Sequence, residues 1–145
     1  MSEHRATVEW RLSGEFRYET YSRAHTLRFD GVEVVGNAAP GNIPVTVERQ
    51  AGVDPEQAFV AALSSCHMLW FLHLACRGKW VVERYVDEAV GILDKTWMSR
   101  VTLRPKVTFA GPSPSTEEHL ALHHTAHEKC FIANSVKTEV IIEPC

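Results

Sequence analysis

The chain has 145 residues, 45% of them hydrophobic and 23% charged, and carries a net charge of -3 with its histidines neutral. That size and balance fit a single globular domain, residues 1–145, with a core of its own. No basic run is present, which argues against nucleic acid as a partner.

The start, Met1-Ser2-Glu3-His4-Arg5, lacks the apolar core of a secretory signal. The most apolar stretch, Met68 to Cys76, is interrupted by His73 and reads as too short to span a bilayer. Both point to the cytoplasm and away from a membrane. Thiols are kept reduced there, so a disulfide in this chain is expected to be catalytic rather than structural. The four cysteines, Cys66, Cys76, Cys130 and Cys145, form no CxxC pair, which disfavours a thioredoxin-type motif and a zinc ribbon.

The first third reads as strand. Val8, Trp10 and Leu12 alternate with Thr7, Glu9 and Arg11, and Ser13-Gly14 signals a turn. Phe16, Tyr18 and Tyr21 suggest a second strand running on towards Leu27 and Phe29. Asp30-Gly31 then predicts a hairpin into Val32–Val35. Residues 36–44, with two glycines, two prolines and two asparagines, read as loop.

A helix follows. Asp54 is placed as its N-cap, Pro55 as the first helical residue and Gln57 as the partner in a capping box. Phe59, Ala62, Leu63, Cys66, Leu69, Trp70 and His73 recur at spacings of three and four and predict its buried face, with Cys66 turned to the core. Phe71 and Leu72 add a second apolar flank, and Gly78 reads as the stop.

Strands resume over Trp80–Leu93 and again over Val101–Phe109, where Pro105 predicts a bulge or an edge. Ser115 and Glu118 predict a capping box for a second helix running to about Cys130, and Lys137–Glu143 reads as a final strand. The order βββ-α-ββ-α-β points to an α+β domain with helices on a mainly antiparallel sheet.

The two thiols of the helices, Cys66 and Cys130, are the residues through which chemistry is expected. Each alone could be a small buried hydrophobe. Cys76 near the helix end reads as filler and Cys145 as an exposed thiol. His119, His123 and His127 stand at i,i+4 spacings on the second helix with Cys130 three residues beyond, so a zinc site is an alternative reading. No HExxH motif supports it, and no metal or cofactor is expected. His127 could instead line a pocket near Cys130.

The runs Asp54-Pro55-Glu56-Gln57 … Ser64-Ser65-Cys66 and His127-Glu128-Lys129-Cys130 resemble the two signatures of the OsmC/Ohr family, the osmotically inducible and organic-hydroperoxide-resistance proteins. The separation of the two cysteines, Leu103-Arg104-Pro105 and the closing strand fit as well, over roughly residues 16–144. The resemblance implies an OsmC-like fold with curved sheets and two central helices, intertwined as a homodimer. It also implies a peroxidatic thiol at Cys66, a resolving thiol at Cys130, and a glutamate and an arginine beside the reactive sulfur. Glu56 matches the glutamate. Arg23 is the better match for the arginine and Arg28 the alternative.

His67 after the reactive cysteine, and Phe131-Ile132-Ala133-Asn134 where many relatives have Cys-Pro, place the chain in an OsmC-like side branch.

That chemistry needs a thiolate. Cys66 in mid-helix gains little from the helix dipole, and burial opposes its ionisation, so a guanidinium is the cation suited to it. Glu56, ten residues earlier on the helix, lies within roughly 80° of Cys66 around the axis and about 15 Å along it, so an arginine could bridge them. First-turn charge alone would also explain Glu56, and Arg23 and Arg28 could be solvated strand residues.

The expected activity is a two-cysteine peroxidase acting on organic hydroperoxides, favoured by Phe59, Leu69 and Trp70. Its reductant would be a small dithiol or a lipoylated protein. The alternative is a non-enzymatic redox sensor or small-ligand binder on the same fold.

Overall fold

The computed structural model describes all 145 residues and is α+β, with eight strands and two α-helices. The chain packs as two compact units, Met1–Ala58 and Phe59–Cys145.

In the first unit β1 (Thr7–Glu9), β2 (His25–Phe29) and β3 (Val32–Gly36) form an antiparallel sheet in that order. Asp30 and Gly31 join β2 to β3 as expected, with Gly31 at φ 73°, a conformation glycine adopts without penalty. After β3 the chain is held by Asn37. Its side chain donates to Gln50 O at 2.8 Å and its N–H to Val53 O at 3.0 Å.

The second strand begins at His25 and not near Phe16, so only the later part of the expected run is strand. Residues 17–20 form a turn, Thr20 N and Tyr21 N both donate to Arg17 O, and Thr20 Oγ1 donates to Glu15 O. Trp10, Phe16 and Tyr21 gather their rings within 5.0–6.0 Å of one another. Their spacing reflects an aromatic cluster around a turn, not a strand face.

Helix α1 (Pro55–Arg77) begins with the capping box read from sequence. Gln57 N–H donates to Asp54 Oδ1 at 2.7 Å, and Asp54 N–H to Gln57 Oε1 at 3.1 Å. Its end differs in detail. Trp80 N–H returns to Ala75 O and Lys79 N–H to Cys76 O, the paired bonds of a Schellman ending. The left-handed residue is Lys79 at φ 63°, one place beyond Gly78. Gly78 sits where a Cβ would come within 3.1 Å of the Trp80 ring, so a larger residue would press on that ring.

The α1 face also differs from the expected one. Its buried residues are Leu63, His67, Phe71 and Ala75, whereas Ala62, Leu69 and His73 are exposed and Cys66 is half-buried. Apolar side chains surround this helix, so the 3.6-residue period could not select which side faces the chain's own core. At 23 residues α1 is also long and apolar enough, by length and composition, to cross a membrane, which corrects the reading of Met68–Cys76 as too short. The central helix of a globular protein passes the same test.

The rest of the second unit is two sheets and a helix. β4 (Val82–Asp87) pairs with β7 (Pro105–Phe109), and β5 (Val90–Asp94), β6 (Trp97–Leu103) and β8 (Glu139–Ile142) form the other sheet in the order β5-β6-β8. All these pairings are antiparallel except β6 with β8.

The two runs read as single strands are thus two strands each. The second breaks at Arg104 because Pro105 has no N–H for a ladder and the Arg104 N–H is taken by Asp87 Oδ1 at 2.6 Å. Helix α2 (Thr116–Lys129) starts with the Ser115/Glu118 capping box.

Two apolar clusters fix α1. Leu63 packs with Val101 and Leu103 of β6, joined by Ile132, Ala133, Val136 and Val140. Phe71 and Ala75 pack with Ala126 of α2, Tyr85 of β4 and Val107 of β7. Full burial of the larger of these side chains, Leu63, Phe71, Val101 and Leu103, is worth about 1.5–3 kcal/mol each.

Candidate functional site

Cys66 and Cys130 are brought together by those two clusters. Cys66 lies on α1 between Leu63 and Phe71. Cys130 is the C-cap residue of α2, between Ala126 in one cluster and Ile132 in the other. The Cys130 thiol is buried at 1% exposure and lies close enough to Cys66 for that residue to bear on its ionisation. Both are free thiols.

Burial pushes the Cys130 thiol up to about 11, and the neighbouring Cys66 adds to the rise. The Ala133 N–H, 3.4 Å from Cys130 Sγ, and the Ile132 backbone pull the other way. At neutral pH Cys130 is therefore a protonated thiol against a half-exposed one, an arrangement in which an oxidised Cys66 sulfur has a partner at hand.

The rim is aromatic. Trp70, one turn after Cys66, packs edge-on at 5.4 Å from Phe131, the residue after Cys130, and the Lys129 ammonium sits 5.6 Å from the Trp70 ring centre. Of the other apolar residues expected here, Phe59 packs with the Leu63 cluster and Leu69 is 60% exposed. Cys76 and Cys145 are exposed.

The charged residues are placed as follows. Glu56 is in the first turn of α1, and its Oε2 is buried without a hydrogen-bond partner. Arg23 does not pair with it. Its guanidinium donates to Tyr21 O at 2.5 Å and Tyr18 O at 2.9 Å and lies 3.6 Å from the Tyr21 ring centre. Arg28 is engaged at the surface with Glu9 at 3.6 Å and Glu33 at 3.5 Å.

The histidines form the feature least visible in the sequence. His67 on α1 and His123 on α2 share a hydrogen bond, Nε2 to Nδ1, at 3.0 Å, with their ring planes parallel to within 4°. His123 Nε2 in turn meets His119 Nε2 at 3.1 Å. Burial holds His67 down to about 4 and His123 to about 3, with His127 reinforcing the first shift and His67 and His119 the second. Burial also lowers His119. His119, His123 and His127 are thus not splayed with Cys130 around a metal position, and no group of three His, Cys, Asp or Glu is arranged to hold an ion. The available signal was the i,i+4 series on α2 together with the unusual His67.

Comparisons with known proteins agree with this architecture. The family model described as OsmC-like protein matches residues 48–144. The chain belongs to the OsmC-like protein family. Across their full lengths it is 50% identical, with a TM-score of 0.92, to an OsmC-like protein of unknown function from Vibrio cholerae. It shares its fold with two more distant proteins. One is the organic hydroperoxide resistance protein OhrB of Bacillus subtilis, at 18% identity and TM-score 0.69, covering 99% of this chain and 98% of that one. The other is an organic hydroperoxide resistance protein OsmC from Legionella pneumophila, at 17% identity and TM-score 0.68, covering 99% and 96%. Among curated proteins none matches.

Proposed function

We propose that this protein is a two-cysteine peroxidase that reduces organic hydroperoxides to alcohols. The observation that carries the reading is the placement of a half-buried Cys66 thiol on α1 near enough to the buried Cys130 thiol at the end of α2 to raise its pKa. The Cys66 thiolate attacks the O–O bond, leaving a sulfenic acid and releasing the alcohol. Cys130 condenses with the sulfenic acid, giving a disulfide and water. A small dithiol or a lipoylated protein returns both thiols by exchange. The Trp70–Phe131 rim favours an alkyl peroxide over hydrogen peroxide.

Glu56 and Arg23 belong to this proposal as the charged groups that stabilise the Cys66 thiolate, and the role requires Arg23 to exchange its bonds to Tyr18 O and Tyr21 O for the site. The unpartnered Glu56 Oε2 supports it, since a buried carboxylate oxygen is costly without a donor. The working form is a homodimer in the cytoplasm. In α1 only 22% of the most apolar 18-residue window is buried within the chain, and a second copy is the cover that an exposed apolar helix in this family calls for.

The test is consumption of cumene hydroperoxide and hydrogen peroxide by reduced protein, beside Cys66→Ser and Cys130→Ser. Fast loss of the organic peroxide, abolished in Cys66→Ser and halted at sulfenic acid in Cys130→Ser, is expected. No consumption by the unaltered protein would refute the activity, leaving redox sensing or ligand binding on this fold.

A further inference from the structure

Four histidines cluster on the two helices that carry the thiols, with His67 following Cys66 on α1 and His127 three residues before Cys130 on α2, and the peroxidase reading gives them no task. Three form an unbroken series: His119, half-exposed, then His123 and His67, both at most 2% exposed, at 3.1 and 3.0 Å. At the inner end, Nδ1 of His67 is buried and has no partner.

His127 lies close enough for its charge to act on His67, and its own Nδ1 is likewise buried and unpartnered. Its backbone oxygen accepts the N–H of Cys130 at 3.2 Å, which fixes it to the end of α2 that carries the buried thiol. Phe71 stacks on His123 at 4.3 Å, and Phe71 and Phe109 meet His119 edge-on, which fixes the rings and walls them with hydrocarbon.

A neutral imidazole donates at one nitrogen and accepts at the other. Three neutral rings in series therefore have two self-consistent arrangements. In one every N–H points towards His67, and in the other every N–H points towards His119. A proton entering at one end and another leaving at the far end converts one into the other without charging any buried ring for long.

We propose that His119, His123 and His67 form a proton wire between the half-exposed edge of α2 and the Cys66–Cys130 thiol pair, with His127 as its link to Cys130.

The wire itself does not depend on the substrate, but the step it serves rests on the peroxidase reading. During condensation the Cys130 S–H bond breaks and its electron pair forms the S–S bond. The Cys66 S–O bond breaks and hydroxide departs. The Cys130 proton enters the wire at the inner end, one leaves at His119, and the hydroxide takes one up as water, so no proton is gained or lost overall. A thiol as reluctant to ionise as Cys130 needs such an acceptor.

The test has two arms. His123→Phe keeps an aromatic ring against Phe71 but cannot carry a proton. Stopped-flow mixing with cumene hydroperoxide should show condensation slowed about tenfold more than Cys66 oxidation, with partial rescue by free imidazole. His119→Gln, which cuts the outer end, should show the same pattern and serves if His123→Phe does not fold. Condensation at the unaltered rate in a folded variant would overturn the wire.

The second arm needs no peroxide. Nitrogen-15 spectra of histidine-labelled protein, reduced and then oxidised with diamide, should show the proton exchanged between the two nitrogens of His67 and of His123. Unchanged tautomers, or failure of diamide to join Cys66 to Cys130, would also overturn it. A tautomer exchange in a protein that leaves peroxides untouched would keep the wire and remove the peroxidase.

Discussion

Ser64 on α1 donates its hydroxyl to Asp87 Oδ2 at 2.5 Å, and the other oxygen of the same carboxylate accepts the Arg104 N–H at 2.6 Å. One side chain at the end of β4 therefore holds the helix that carries Cys66 and the junction between β6 and β7. Charge-assisted hydrogen bonds of this kind are among the stronger ones a protein makes.

Removing the carboxylate breaks both attachments. Asp87→Ala is expected to lower stability by about 2 kcal/mol and Ser64→Ala by about 1 kcal/mol. The double variant should fall short of the sum by about 1 kcal/mol, because the two changes remove one shared bond. Urea melts of the four proteins measure this. Simple additivity would mean that Ser64 and Asp87 do not act on each other in solution.

Acid should weaken the fold well before ordinary carboxylates titrate. His67 is held down to about 4 and His123 to about 3, by burial first and by neighbouring histidines second, whereas in the unfolded chain both sit near 6.5. A lowered folded value means that the unfolded chain binds protons the folded one refuses. The contribution is present above pH 6.5 and is lost as pH falls through the folded values. The slope should reach up to about 1.4 kcal/mol per pH unit for each ring. Denaturant melts between pH 7 and 5 read it, and His123→Phe should flatten the dependence. A flat profile in the unaltered protein would show both rings solvated.

Arg23 offers a sharper test of the proposed chemistry than the cysteines do. Lysine carries the same charge but cannot donate to two carbonyls in a fixed fork while its cation sits over the Tyr21 ring. Arg23→Lys is expected to cut the second-order rate of Cys66 oxidation by about tenfold or more, with a small change in melting temperature. A changed melting temperature with an unaltered rate would make Arg23 a brace for its own turn and nothing more.

Local rules were enough to place the starts of the helices. Asp54 with Gln57 and Ser115 with Glu118 are capping boxes in the sequence and in the structure, because each is decided within four residues. The Asp30-Gly31 hairpin is legible for the same reason. The buried side of α1 was not, since its apolar residues encircle the helix and only the sheets beneath decide which of them are covered.

The aromatic run from Phe16 imitated a strand because a cluster around a turn can repeat at the same spacing. At the site, Cys66 and Cys130 could be paired only through family resemblance. The bond between His67 and His123 joins residues 56 apart, beyond the reach of any periodicity. What the sequence did hold was the raw material, a histidine after the helical cysteine and three more along one face of α2.

The break at Arg104 has a mechanical side. β6 ends at Leu103 and β7 begins at Pro105, so a single residue is all that separates a strand of one sheet from a strand of the other. Leu63 rests on the first strand and the Phe71 cluster on the second, with Cys66 between them on α1. The two sheets are one ribbon creased once. Any hinge motion between them has its axis at that crease, and such a motion would tilt the helix and change the depth of the Cys66 sulfur.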